Sequence, residues 1–111
     1  RERFTTGSHW KGQWQSPHRA FEMNLRIDEI QGDAFRGELS LVGDFGRPTL
    51  MKIEGQLDRN RIQMRTTTMV RGKNRSFAFQ GYLLSDRLLA AVDGVTDDNK
   101  RATGWLNLMC Q

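Results

Sequence analysis

Few residues in this sequence have side chains able to do chemistry. There are two histidines, His9 and His18, and one cysteine, Cys110. A metal site needs several His, Cys or carboxylate ligands at a workable spacing. These three do not provide it, so no metal and no other cofactor is expected. The acidic turn Asp93, Asp97, Asp98, Asn99 has calcium-type oxygens but lacks the spacing, glycine and closing glutamate of an EF-hand. It reads as a solvated loop. Cys110 has no histidine near it in sequence, and no G-x-S-x-G elbow occurs. The carboxylates fall mostly on outward strand positions, where they solubilise rather than act as perturbed acids. No helix follows a glycine cluster, as a phosphate-binding loop requires. The expectation is that the chain is not an enzyme.

Charge says more than catalytic chemistry does. The formal net charge is +4, which permits an anionic partner without requiring one. From Arg59 to Ser85 there are six basic residues and no acidic one. Arg61, Arg65, Arg71, Lys73 and Arg75 would fall on two adjacent strands and their turn, and they form a candidate anion-binding face. Nucleic acid is not the favoured partner, because base stacking wants exposed aromatics among the cations. In this neighbourhood Phe77 and Phe79 point inward by parity, which leaves Tyr82 as the outward aromatic. The plainer reading of the run is solvated charge.

The elements that would position these residues follow a period of two, not of 3.6. Phe21, Met23, Leu25 and Ile27 alternate with Glu22, Asn24, Arg26 and Asp28. After Gln31-Gly32-Asp33, a second run puts Phe35, Gly37, Leu39 and Leu41 on one face, which with the first reads as a hairpin. Residues 43–48 (GDFGRP) read as a loop. Beyond it, Met51, Ile53, Gly55 and Leu57 share a face, then Ile62 and Met64 with Thr66, Thr68 and Val70, then Phe77, Phe79, Gly81 and Leu83. Thr66, Thr67 and Thr68 read as ordinary strand residues. With strands at 9–16, 88–95 and 102–110, the chain is expected to form about eight short strands. Hairpin-length connections make an antiparallel up-and-down β-barrel the expected all-β fold, one domain over 1–111.

A short motif recurs within these strands: WKGQW at 10–14, FRGEL at 35–39, IEGQL at 53–57 and FQGYL at 79–83. Each glycine shares the inward parity of the large residues around it. An inward glycine forgoes burial, so it is expected to mark a sharp bend or a close approach of another group. The large neighbours Trp10, Trp14 and Phe79 are expected to cover the gaps. Interiors of eight-stranded barrels are either filled or hold one small ligand. Here the bulky inward set leaves room, at most, for a small pocket at one mouth.

Gly12-Gln13-Trp14, opening a meander of short strands, resembles the G-x-W start of the calycins, which include lipocalins, fatty-acid-binding proteins and avidins. That resemblance implies an antiparallel barrel with a ligand cavity and a Trp packed across one end. It also implies a late basic residue on that Trp, for which Arg101 is the candidate. No helical segment corresponds to a lipocalin's terminal helix or to the two-helix lid of a fatty-acid-binding protein. The chain is also similar to small uncharacterised bacterial domains, sometimes appended to signalling proteins. They open G-x-x-W-x-G-x-W, as residues 7–14 do here, and they repeat F-x-G-x-L. The likeness implies a fold and no activity.

The sequence begins at Arg1 with no signal-peptide pattern, so it reads as a mature form or a piece cut from something longer. No apolar run approaches the ~20 residues of a membrane-spanning helix. A single cysteine mildly favours a reducing, cytoplasmic compartment. The functional expectation is a non-enzymatic binding or interaction module. It would take a small apolar ligand at the barrel mouth through Trp10, Trp14 and Phe21, or a protein partner. The alternatives are a binder of nucleic acid or another polyanion through the basic face, and a structural accessory domain of a larger bacterial protein.

Overall fold

Period-two alternation becomes a closed sheet in space. The computed structural model describes residues 2–43, 47–71, 76–95 and 98–111, with the side chains of Val70 and Arg71 outside that set. It contains β1 (His9–Gln15), β2 (Ala20–Gln31), β3 (Ala34–Val42), β4 (Pro48–Asp58), β5 (Arg61–Arg71), β6 (Ser76–Leu84), β7 (Arg87–Val95) and β8 (Arg101–Cys110). Each strand pairs antiparallel with the next, and β8 returns to β1, so the barrel is closed. The up-and-down all-β barrel is therefore as the alternation predicts. Pro48, expected in a loop, instead opens β4, a position where a strand tolerates proline.

The interior is apolar. Met23, Leu25, Ile27, Leu39, Met51, Ile62, Phe79, Leu88 and Leu106 are essentially inaccessible, and no described polar or charged residue is buried with them. Phe4 closes one end, its ring 4.9 Å from Phe35 and 5.9 Å from Trp10. The chain is held there by Gly7 N–H donating to the Ile27 carbonyl and Ile27 N–H donating to the Ser8 carbonyl. At the other end Trp14 stacks on Phe21 at 4.9 Å and meets Phe77 edge-on at 5.3 Å.

The inward glycines fall into two kinds. A Cβ at Gly12, Gly37 or Gly81 would collide with a carbonyl oxygen of the neighbouring strand, those of Asn107, Arg26 and Leu89 respectively. These are bends where two backbones close up. At Gly55 and Gly94 an added Cβ would likewise strike a carbonyl oxygen, that of Gln63 or Ser76, but there the Phe35 and Phe77 rings also close in to 2.6 Å, each aromatic lying directly opposite its glycine. The residues covering the gaps are thus Phe35 and Phe77 rather than the tryptophans, because only a residue in register on the next strand can reach.

β5 departs from strict alternation. Ile53 faces Thr66 but Lys52 faces Thr68, so Thr67 is an extra residue. Met51 faces Met69 and Leu50 faces Arg71, so Val70 is another. Such a bulge shifts parity by one. Met69, not Thr68, therefore packs against the core. Thr66 has a role beyond filling a strand, since its hydroxyl accepts a 2.9 Å hydrogen bond from Phe77 N–H just past the last β5–β6 backbone pair, Arg65 with Ala78.

Candidate binding surface

Trp10 and Trp14 are core residues, 0% and 4% exposed. The Trp10 indole N–H donates to Ser8 Oγ at 3.1 Å, and that of Trp14 donates to the Thr103 carbonyl at 2.9 Å. Phe21 is half-buried, sandwiched between Trp14 and the Arg19 guanidinium, which sits 4.4 Å from its ring centroid. The cation at this end is therefore Arg19, acting through Phe21. Arg101 is highly exposed and lies 3.5 Å from Asp93.

The basic run does not stay basic once its neighbours are in place. Across the outer wall the register reads Glu29, Arg36, Glu54, Arg65 on β2 to β5, with alternating signs. Arg65 Nη2 lies 2.7 Å from Glu54 Oε1. Arg61 faces Asp58 in register across the β4–β5 turn but makes no ion pair with it, so it remains an unpaired cation among the described residues. Lys73 and Arg75 lie outside the described residues, as does the Arg71 side chain. Nearby, Glu38 receives both Lys52, at 3.2 Å, and Arg26, at 3.8 Å. Arg26 also donates to Asp28 at 2.6 Å. That hydrogen bond holds the Asp28 carboxyl below its ordinary range and the Arg26 guanidinium above its own. No group of three or more His, Cys, Asp or Glu capable of holding a metal occurs among the described residues.

The outer wall of β6, β7, β8 and β1 is different. One cross-strand row runs Gln80, Ala91, Trp105, Gln15; the next runs Tyr82, Leu89, Asn107, Gln13; the third runs Leu84, Arg87, Met109, Lys11. Trp105 is 64% exposed, Tyr82 48%, Leu84 46% and Met109 43%, so four large apolar side chains stand in solvent on β6 and β8, either side of β7. Small Ala91 beside Trp105 leaves a groove of about 780 Å³, walled by Trp105, Tyr82, Leu89 and Met109. Amides of Gln13, Gln15, Gln80 and Asn107 edge it, and Lys11 is the charged residue in its lining. A second groove, of about 620 Å³, also lies on the outer wall, among Gln56, Gln63, Gln80 and the alternating charges of β3 to β5.

Sequence reading overlooked the Trp105 face. The signal was present, because Leu106 and Leu108 on the inward parity put Trp105 and Met109 outward. What alternation lacks is lateral neighbourhood: Tyr82 and Trp105 lie 23 positions apart and meet on one face only once β7 is inserted between them.

No protein-family model matches the chain, and no curated protein matches it in sequence.

Proposed function

We propose that this chain is a non-enzymatic interaction module that engages a protein partner through the outer face of β6–β8. The observation that carries this reading is the clustering of Trp105, Tyr82, Leu84 and Met109, all exposed, around Leu89 and Ala91. Contiguous exposed apolar patches on soluble folds mark interaction sites, and Trp, Tyr and Met are the residue types enriched there. A closed barrel has no free edge, so a partner cannot add a strand and must be held by side chains. Trp10 and Trp14 are committed to the core, which leaves the partner form of the reading better supported than a small apolar ligand at the mouth. A calycin-like kinship belongs to the same proposal and rests on Gly12-Gln13-Trp14 and the closed eight-stranded barrel.

The polyanion reading has the weaker footing, because Glu54 neutralises Arg65 where the cations were to act together. The test is site-specific photo-crosslinking from position 82 or 109, with position 36 on β3, three strands from either, as the control. A discrete adduct from 82 and 109, diminished by Trp105→Ala, with none from 36, is the expected result. Equal labelling from both walls, or none from either, would remove the proposal.

A further inference from the structure

We infer that the segment docking on the β6–β8 face is acidic, presenting large apolar side chains flanked by carboxylates. This deepens the protein-partner reading and rests on it. Three cations border the patch. Arg61 on β5 lies directly opposite Tyr82, Arg87 sits between Leu84 and Met109, and Lys11 on β1 follows Met109 in the same row. All three are exposed. None has an ion pair among the described residues, whereas Arg26, Lys52, Arg65 and Arg101 elsewhere on the wall each have a carboxylate within 4 Å.

Among the described residues, no carboxylate lines the groove. Acidic groups on the flanking strands and turns include Asp93, Glu22, Asp58 and Asp86. Asp93 is engaged with Arg101, and Glu22 stands on β2 beyond Gln13. Asp58 faces Arg61 in register without reaching ion-pair distance, and Asp86 lies in the β6–β7 turn. Lys11, Arg61 and Arg87 thus border an apolar centre whose described lining holds no carboxylate.

Two further features narrow the occupant. The amides of Gln13, Gln15, Gln80 and Asn107 offer both donors and acceptors along the groove, which suits the backbone of a polypeptide segment. A second copy of the chain fits poorly. An isologous contact would bring the same three cations face to face, on a chain that already carries a net charge of +4.

The experiment is selection of a phage-displayed random dodecapeptide library on the folded chain, counter-selected on the Trp105→Ala variant. Unchanged thermal midpoints check that the variants are folded. Expected winners pair aromatic or large aliphatic residues with Asp and Glu. Synthesised, they should blue-shift the emission of Trp105, since Trp10 and Trp14 are already buried. The Lys11→Glu, Arg87→Glu double variant should weaken them about tenfold, and added salt should weaken them further. Winners that need Trp105 but carry no excess of carboxylates, or that ignore the double reversal, overturn the acidic partner and leave the partner reading standing. An absence of winners lost on Trp105→Ala overturns both. A chain that sediments as a dimer dissolved by Trp105→Ala assigns the face to a second copy and overturns the inference as well.

Discussion

A methyl group added at Gly81 would land on the Leu89 carbonyl oxygen and 2.5 Å from the Ala90 Cα, both backbone atoms that cannot step aside. At Gly43 nothing lies within 4 Å of the same added atom, and the backbone there is not left-handed. The two glycines therefore respond oppositely to the same substitution. Gly81→Ala should destabilise by about 2 kcal/mol or more through overpacking. Gly43→Ala should be neutral or stabilise by up to about 1 kcal/mol, by restricting the unfolded chain. Urea unfolding of the two variants beside the parent checks the contrast. That Gly12, Gly37, Gly55 and Gly81 point inward was legible from parity. Which carbonyl closes on each, and that a phenyl ring joins it at Gly55, was not, because that is set by the residues opposite on other strands.

On the scale of a single element, β5 shows how local sequence can mislead. Thr66, Thr68 and Val70 continue the parity of Ile62 and Met64, and a strand read alone would face them inward. The extra residue at Thr67 reverses this for Thr68 and delivers Met69 to the core opposite Met51. Met69→Ala should therefore cost about 1–2 kcal/mol, reduced from the full core value because the side chain is only partly buried. Thr68→Ala, on the exposed side, should stay within about 0.5 kcal/mol. Thermal denaturation of the pair tests the register, and the reverse ranking would mean that the bulge is misplaced. A bulge leaves little trace in one sequence, since it is a mismatch between two strands and belongs to neither alone.

Across the whole molecule, closure depends on what covers the two ends as much as on the hydrogen bonds between β1 and β8. Phe4 precedes the first strand and belongs to no alternating run, yet it is buried against Trp10 and Phe35. Phe4→Ala should cost about 3 kcal/mol, in the range for an aromatic lost from a core. It should also open Trp10 to a neutral fluorescence quencher such as acrylamide. Full quencher protection in the variant would show that the plug is dispensable. The charge pattern also changes at this scale. Of six cations without an acid between them in sequence, Arg65 is paired with Glu54 of β4, while Arg61 joins Lys11 and Arg87 along the border formed by Tyr82, Leu84 and Met109.

The sequence by itself determined the eight strands, their order, the face each presents to the core save the far half of β5, and the inward place of the glycines. All of these follow from alternation and turn chemistry, which are local. Tertiary structure alone decided which cations are neutralised and which stand free. It also decided that Trp10 and Trp14 are spent on the core while Trp105 and Tyr82 share the outer wall. The physical reason is that a β-barrel makes its surfaces across strands: residues as far apart in sequence as Lys11 and Met109 become neighbours at a spacing of about 5 Å. A surface of that kind is written in the register between strands.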